Sequence, residues 1–465
     1  MRIRVFIFIF IAVSFKVNSQ ELSSIDSLTK RLEIAVEEDK INTLIQLSEA
    51  YRYEDFDLCV EYGKRAIGLA EEGDFDLLLA ISMRSVAVSY YYNSKFNEAL
   101  EYFERAYLNF ALVHDSSGMA ICLRNIGYVY QNQGKLTLSL EYCENSYDLY
   151  RKLQDLQGMG NSLIQIGHNY YYRNEFKKAL DRYFNSLLIF RDIKEQEGIM
   201  LSEINIGIIY NLLGNHSVAI EYYTDALELS SKLNSKRSRS IILSNMAEIY
   251  NFKYENYELA LKLHNEALYL KNELNDKYGE ANQINNLGTV YGNMEQYKTA
   301  YEYFELSKEK FQNVGSISGI TMAGYNMGKV YQSNGMHNSA IAQFKSSLKL
   351  AEEIGYVDYI SSNQEALFES YVAMGDFENF EKYYQLYKAG QDTLIEKLNT
   401  AEMLEVEAKY KAEEATGKLN KINVEIDKIA HKLYIYKLLF FSLLGLMIIV
   451  LFSSLAYFYL KKKRN

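Results

Sequence analysis

The chain has 465 residues, of which 50 are Lys or Arg and 60 are Asp or Glu, so its formal net charge is −10. This acidic balance argues against a nucleic-acid-binding surface, which needs clustered basic side chains. The chain contains no Pro and is 48% hydrophobic, which favours a helical fold with a continuous interior, because Pro interrupts helices.

Residues 1–19 are predicted to be a secretory signal peptide. Arg2 and Arg4 form a basic start, and the apolar run that follows, from Val5 to Phe15, is too short for a comfortable membrane span. Cleavage is expected before Gln20. The alternative is an uncleaved signal anchor, and in both cases the segment that follows is exported.

Residues 20–40 are predicted to form one amphipathic helix that caps the fold. Their apolar side chains recur at helical spacing, at Leu22, Ile25, Leu28, Leu32 and Ala35.

Residues 41–390 contain a unit that repeats about every forty residues, and we count nine units. In each unit a position that is usually small precedes a Tyr by three residues. The first of these positions holds Ser48, Ala87, Gly127, Gly167, Gly207, Ala247, Gly288, Gly328 and, as an exception, Phe368. Two further small positions lie seven residues apart later in the unit. The aromatic between them is Phe103, Tyr183, Tyr223, Phe304 or Phe344. A period of this length indicates stacked helix pairs, since one pair cannot bury its own apolar face.

Glycines mark the predicted turns of each unit. Gly134, Gly214, Gly335 and Gly375 are expected within the pairs, where a helix end favours left-handed backbone. Asp-x-x-Gly motifs are expected at the joints between pairs. These motifs are Asp115 with Gly118, Asp155 with Gly158, and Asp276 with Gly279.

The order of small and aromatic residues resembles the tetratricopeptide repeat. One unit matches it at Gly207, Tyr210, Ala219, Tyr223 and Ala226. The resemblance implies an all-α, right-handed solenoid of about nine helix pairs with a concave binding groove. The unit is longer than the usual length of about 34 residues and lacks the Pro after the second helix, as in the longer-helix, kinesin-light-chain-like variety. The last unit departs further, because Phe368, Phe380 and Tyr387 replace small residues.

The C-terminal part is predicted to be a coiled coil followed by a membrane span. Residues 391–437 repeat small or apolar side chains at coiled-coil spacing, which would pair two copies; a single helix folded back on the last repeat is the alternative. Residues 438–460 carry no charge over 23 residues and are predicted to be a transmembrane helix. The basic residues 461–465 would form a short cytoplasmic tail. With the signal peptide, this order predicts a bacterial inner-membrane protein whose repeats are periplasmic.

No catalytic or metal-binding pattern is evident, so we expect neither an enzyme nor a cofactor. The six His form no metal-ligand motif, and three of them (His216, His264 and His337) fall at positions that hold aromatic residues in other units. The three Cys (Cys59, Cys122 and Cys143) are expected to be buried thiols. A Cys122–Cys143 disulfide within one repeat is the alternative in an oxidising compartment.

The sharpest functional signal is a column of amides, two residues before the small position of successive units. It comprises Asn125, Gln165, Asn205, Asn245, Asn286 and Asn326. Amides both donate and accept hydrogen bonds, so a column of them can bind the backbone of an extended peptide. The alternative is that they bond within or between repeats and fix the stacking.

The whole order of segments resembles the sensor proteins of the Bacteroidota, in which periplasmic tetratricopeptide repeats precede a coil, a span and a cytoplasmic kinase or DNA-binding output domain. Only residues 461–465 follow the span here, so catalysis and DNA binding by this chain are not expected. The expected function is a non-catalytic, membrane-anchored module that binds a peptide or protein and signals to a separate partner. A static envelope scaffold and a truncated sensor kinase or regulator are the alternatives.

Overall fold

The structure is a computed structural model that describes residues 21–391. Within this range the chain forms α-helices and one short 3₁₀ turn (Tyr51–Tyr53), and no strand. The helices are α1 Glu21–Ile34, α2 Glu37–Ala50, α3 Phe56–Glu72, α4 Asp76–Tyr92, α5 Phe96–Leu112, α6 Ser116–Asn132, α7 Leu136–Leu153, α8 Leu156–Tyr172, α9 Phe176–Ile193, α10 Gln196–Leu212, α11 His216–Lys232, α12 Lys236–Phe252, α13 Tyr257–Glu273, α14 Lys277–Asn293, α15 Tyr297–Asn313, α16 Ile317–Ser333, α17 His337–Glu353, α18 Val357–Met374 and α19 Phe377–Gln391.

The helices after α1 form nine consecutive pairs, α2 with α3 through α18 with α19, and each helix packs against the next. The first helices of successive pairs also contact one another. For example, α2 contacts α4, and α16 contacts α18. No comparable contact joins successive second helices in the described range. The first helices are therefore closer together and form the concave side of the stack, which we call the inner wall. The predicted all-α array of about nine helix pairs is confirmed.

The turns within pairs use left-handed backbone, as predicted. Gly134, Gly214, Gly335 and Gly375 have φ of +72°, +80°, +71° and +73°. Polar residues adopt the same conformation at the equivalent turns of other pairs, among them Ser94, Asn174 and Glu295. Glycine lowers the steric cost of this turn, but the pattern does not require it.

The predicted joints between pairs are helix caps. The Asp115 carboxylate accepts a hydrogen bond from the Gly118 N–H at 3.0 Å, and Asp155 and Asp276 cap their helices in the same way. The glycine is also a packing requirement, since a Cβ on Gly118 would lie 2.3 Å from the ring of Phe110 on the preceding helix. Glu195 and Ser316 cap α10 and α16, where no Asp is present.

The small positions accept a buried aromatic ring, as the repeat predicts. A Cβ on Gly167 would lie 2.4 Å from the Tyr183 ring, and one on Gly207 would lie 2.6 Å from Tyr223. Where the last of the small positions holds Ser, its hydroxyl donates to a carbonyl 26 residues earlier in the chain, as Ser186 does to Gly160 at 3.0 Å. In these pairs one ring and, in several units, one hydroxyl join the two helices, whereas in the third pair Cys143 takes the place of the ring and faces Gly127.

The Cys are buried as predicted, and the three His at aromatic positions differ in their burial. All three Cys are buried and free, and burial raises the pKa of the Cys122 and Cys143 thiols to about 12, so they are inert structural groups. His264 is fully packed, with its Nδ1 3.0 Å from the Gln283 Oε1. His216 and His337 begin their helices and are only half-buried.

The predicted single capping helix over residues 20–40 is wrong. The helix is interrupted at Ala35 and Val36, where the backbone of Val36 is extended (φ −127°, ψ 155°), and α2 then begins at Glu37. The acidic residues Glu37, Glu38 and Asp39 explain the new start, since negative charge favours a helix N-terminus. An ion pair between Arg31 and Asp39 links the two helices.

The last pair packs differently from the others. Phe368 occupies the small position, and its ring makes edge contacts with Phe380, Tyr384 and Tyr387 of α19 at centroid distances of 6.1, 5.7 and 5.4 Å. Aromatic packing on α19 therefore replaces the close helix approach that a small residue permits.

Several predictions lie outside the described residues: the signal peptide (1–19), the coiled coil (from 392 onward), the membrane span (438–460) and the basic tail (461–465). Within residues 21–391, none of the helices combines the length and the apolar character needed to cross a membrane.

Candidate functional site

The predicted amide column lies on the inner wall, on the first helices of six successive pairs, α6 to α16. Four of its members are nearly inaccessible: Gln165 is 0% exposed, Asn205 and Asn245 are each 4% exposed, and Asn286 is 6% exposed. Asn125 and Asn326 are half-buried. The six amides thus lie on successive first helices, but most of them are buried and not displayed on the surface of the inner wall.

Two members of the column bond to the preceding pair. The Asn205 Oδ1 lies 3.3 Å from the His168 Nε2, and its Nδ2 donates to the Leu201 carbonyl at 2.8 Å. The Asn326 Nδ2 donates to the Asn285 Oδ1 at 3.1 Å. These contacts fit the interpretation that the amides fix the stacking of neighbouring pairs.

Three other members retain unused hydrogen-bonding groups. Neither amide atom of Gln165 has a partner among the described residues, and the Nδ2 atoms of Asn245 and Asn286 have none either. Buried amides without partners are unfavourable, because they have lost water and gained nothing in return. Groups of this kind can bind the backbone of a ligand that lies against the inner wall.

His168 adds a buried, polar and uncharged ring to this region. Its ring is 1% exposed and packs against Tyr183 at a centroid distance of 5.6 Å, while its Nδ1 has no partner among the described residues. Burial lowers the pKa of His168 to about 3, so the imidazole is neutral at physiological pH.

A second group of polar side chains surrounds Glu248 on α12. The Glu248 Oε1 is buried without a hydrogen-bond partner, and burial raises the pKa of this carboxyl to about 8. The Tyr223 hydroxyl is also buried without a partner at hydrogen-bond distance. The Asn245 amide is nevertheless near enough to that hydroxyl to oppose the rise in its pKa, so the two groups face each other at a longer separation.

Electrostatic interactions connect the inner wall of the fourth pair with the start of the ninth. Burial is the main cause that raises the pKa of Tyr171, which lies at the end of α8, and interactions with Tyr172, with Asp358 on α18 and with Glu248 raise it further. Burial is also the main cause that raises the pKa of Tyr356, the residue that precedes α18, and interactions with Tyr278, Asp358, Tyr171 and Tyr172 add to it. We call Tyr171, Tyr223, Glu248, Tyr356 and Asp358 the inner cluster.

The sequence analysis singled out the amides and missed the two carboxyls. Glu248 directly follows the small residue Ala247, at the position held by Tyr128 and His168 in earlier units. A comparison of this position across units would have found it. No periodic signal indicates Asp358, because its interaction with Tyr171 of the fourth pair joins units that are distant in the sequence.

An acidic residue elsewhere on the wall has its own partner. Glu203 on α10 is 2% exposed and forms an ion pair with Arg191, with 3.1 Å between the guanidinium nitrogen and the carboxylate oxygen. Burial raises the pKa of Glu203 to about 7, against the opposing effect of Arg191. Among residues 21–391, no group of three or more His, Cys, Asp or Glu side chains could hold a metal ion.

Comparison with known proteins identifies the repeat. Sequence profiles of the tetratricopeptide repeat match residues 118–184, 195–273 and 325–354. These residues carry tetratricopeptide repeats, and the described part of the chain is a solenoid of that type. No curated protein sequence matches the chain significantly.

Solved structures with similar folds are distant in sequence. The apo form of the quorum sensor NprR from B. thuringiensis aligns over 80% of this chain and 99% of its own, with 16% identity and a TM-score of 0.54. Aspartyl phosphate phosphatase F from Bacillus subtilis aligns over 73% and 96%, with 13% identity and a TM-score of 0.52. A Rap protein complexed with Competence and Sporulation Factor aligns over 77% and 99%, again with 13% identity and a TM-score of 0.52. At these identities the likeness concerns the fold.

Proposed function

We propose that the inner wall binds an extended peptide, or a peptide segment of a protein. The observation that carries this proposal is the set of buried amides without partners at Gln165, Asn245 and Asn286. They lie on the first helices of the fourth, sixth and seventh pairs, so they follow the long direction of the stack. A peptide backbone offers a donor and an acceptor at every residue and would satisfy them in turn.

The similar solved structures support this proposal. One is a quorum sensor, and another is a Rap protein in complex with Competence and Sporulation Factor. A solenoid of this type can therefore hold a signalling factor, and we extend that property to the present chain as part of the proposal.

The proposals for where the protein lies in the cell, and for how it passes on a signal, are based on the sequence alone. We propose that residues 438–460 anchor the repeats to the bacterial inner membrane on its periplasmic side, and that residues 391–437 pair two copies and couple ligand binding to a separate signalling partner. A static scaffold and a truncated sensor remain the alternatives. Ultracentrifugation of residues 391–460 in detergent tests the pairing, and a monomer would contradict the coupling.

The binding site can be tested by separating partnered from unpartnered amides. The triple variant Gln165→Ala, Asn245→Ala, Asn286→Ala removes the Gln165 amide and the two Nδ2 groups that have no partner, so its melting temperature should fall less than that of a variant that breaks a buried hydrogen bond. Its affinity for a fluorescein-labelled pool of randomised nonapeptides, measured by fluorescence anisotropy, should fall by about tenfold or more, since each lost bond contributes about 0.5–1.5 kcal/mol.

Asn205→Ala is the matched control. It leaves the buried His168 Nε2 without its partner and should lower the free energy of unfolding by about 1–3 kcal/mol. If the triple variant instead loses as much stability as Asn205→Ala and binds the pool normally, the amides are structural and the proposal fails.

A further inference from the structure

The contact between the fifth and sixth helix pairs is built differently from the contacts between the other pairs. We propose that this joint, between α11 and α12, is a hinge, and that peptide binding sets its angle. The first five pairs would then move as one block relative to the last four. The inference rests on the proposed function, because the candidate amides lie on both sides of the joint: Gln165 on α8, and Asn245 and Asn286 on α12 and α14.

Two positions meet at each joint between pairs. One lies near the end of a second helix, and the other is the third residue of the next first helix. At four joints these positions hold a buried ring and a glycine, so close that a Cβ on the glycine would lie 2.2 or 2.3 Å from the ring. These residues are Phe110 with Gly118, Tyr150 with Gly158, Phe190 with Gly198, and Phe311 with Gly319. The ring therefore fills the space between the two helices.

Three other joints keep one large apolar side chain at these two positions. The residues are Ala70 with Leu78, Leu270 with Gly279, and Ala351 with Tyr359. Leu270 and Tyr359 are each 7% exposed, and Leu78 packs against a buried apolar cluster. The joint between the fifth and sixth pairs holds Ser230 and Ser238 instead. Among the joints of the described stack, it alone lacks a large apolar residue at both positions.

The two serine hydroxyls do not replace the missing contact. Both side chains are nearly inaccessible, with Ser230 1% exposed and Ser238 5% exposed. The Ser230 Oγ donates to the Leu227 carbonyl of its own helix at 2.7 Å, and the Ser238 Oγ accepts from the Ser235 Oγ at 3.0 Å. Hydroxyls that bond on their own side of the joint add little across it, whereas a buried ring stabilises it by removing apolar area from water.

The start of α12 also lacks the stabilisation that neighbouring first helices have. A side chain caps α6, α8, α10, α14 and α16, but no side-chain hydrogen bond caps α12. Its first turn contains Lys236, Arg237 and Arg239 and no acidic residue, and positive charge is unfavourable at a helix N-terminus. A hydrogen bond from Arg239 to the Ser231 Oγ does cross the joint at 2.8 Å, but it joins exposed side chains.

The missing ring and the missing cap weaken the same joint. Regions with few buried apolar contacts open locally at a low cost in free energy, so this joint should bend more easily than its neighbours. A peptide that bonds to Gln165 and to Asn245 would span the joint. It would favour the angle at which both sets of bonds form, because a ligand shifts a conformational equilibrium by its differential affinity.

Amide hydrogen exchange of the full chain in detergent, followed by mass spectrometry, tests the hinge without a ligand. Amides in the last turn of α11 and the second turn of α12 should exchange about tenfold or more faster than the equivalent amides of α9 and α10. The comparison is internal, since the joint between α9 and α10 has Phe190, Gly198 and the Glu195 cap. Equal exchange at the two joints would show that the hinge is wrong, whether or not peptides bind.

Two variants restore the missing features separately. Ser230→Phe with Ser238→Gly supplies the ring and the glycine of the preceding joint, and Ser235→Asp supplies the kind of cap that α8 has. Each should slow exchange in α11 and α12 and leave α9 and α10 unchanged. Ser235→Asp alters only the N-cap residue, so it decides the matter if the double variant does not fold. If exchange is as fast in Ser235→Asp as in the wild type, the weak cap is not a cause of bending and the inference fails.

Pulsed electron paramagnetic resonance measures the movement itself. Spin labels on Lys178→Cys of the fourth pair and Lys349→Cys of the eighth lie on either side of the joint, at positions that are 62% and 78% exposed. The control is Glu61→Cys with Lys178→Cys, because both lie in the first block, and the native thiols are buried. The pool of randomised nonapeptides should change the first distance by more than about 2 Å and leave the second unchanged.

The outcomes separate this inference from the proposed function. If the pool binds in anisotropy titrations and the distance across the joint stays constant, peptide binding stands and the hinge is wrong. If that distance changes as much in the Ser230→Phe, Ser238→Gly variant as in the wild type, the stack bends elsewhere and the hinge is again wrong. If the pool does not bind, the proposed function fails together with the role of the peptide, and the exchange rates still decide whether the joint is a hinge.

Discussion

The packing contacts between successive helix pairs, which we call the seam, are repeated along the chain, whereas the side chains of the inner wall are not. The seam repeats: a glycine at the start of a first helix faces an aromatic ring of the preceding helix at Gly118, Gly158, Gly198 and Gly319. The inner wall changes from pair to pair, and the position after the small residue holds Val88, Tyr128, His168, Ile208, Glu248, Thr289, Lys329 and Glu369 in turn. The repeated contacts build the fold, and the positions free of that constraint are available for binding.

The largest effect should come from the seam. The Phe190 ring is 0% exposed and lies between two glycines, since a Cβ would come within 2.6 Å of it on Gly160 and 2.3 Å on Gly198. Phe190→Ala would leave a cavity between the fourth and fifth pairs and should lower the free energy of unfolding by about 3–5 kcal/mol in urea titrations.

Phe377→Ala is the control for this change. Phe377 is 69% exposed at the start of α19, so its removal should change stability by less than about 0.5 kcal/mol. A similar small effect for Phe190→Ala would show that the seam does not hold the stack together.

A second prediction concerns the stability that is lost because the Glu248 carboxyl is buried on the inner wall. The pKa of Glu248 is about 8 in the folded chain, above its ordinary value of 4.5. Between these values the unfolded chain has lost the proton that the folded chain retains, so stability falls as pH rises from 4.5 through 8. Tyr171 and Tyr223, which face Glu248, stay protonated in this range.

Glu248→Gln removes this penalty. At pH 8.5 the variant should be more stable than the wild type by roughly 4–5 kcal/mol, and at pH 4 the two should be equal, as measured by urea unfolding across the pH range. Glu228→Gln should follow the wild-type pH profile. A parallel profile for Glu248→Gln would mean that this carboxyl is not buried without a partner.

The smallest effects should distinguish glycines of the seam from other glycines. In Gly198→Ala the new methyl group would crowd the buried Phe190 ring, which should cost about 1–3 kcal/mol. Gly68 lies inside α3 with no atom within 4 Å of an added Cβ, so Gly68→Ala should stabilise the helix by about 0.5–1 kcal/mol. Thermal melts of the two variants should shift in opposite directions; shifts of the same sign would contradict the distinction.

The sequence by itself determined the local features of the stack. The forty-residue spacing predicts the helix pairs, the Asp-x-x-Gly motifs predict the caps, and the small and aromatic positions predict which side chains are buried. Each of these depends on contacts within one pair or between adjacent pairs, and a local pattern can specify such contacts. The break before Glu37 escaped this reasoning because the apolar spacing continues across it.

Only the tertiary structure decided what the inner wall offers. One column of amides in the sequence divides into paired members such as Asn205 and unpaired members such as Asn245, because the neighbouring side chains differ from pair to pair. The interaction of Tyr171 with both Asp358 and Glu248 depends on the small rotation between successive pairs, added over several units. No single repeat contains that sum, so the sequence of one repeat cannot predict the interaction.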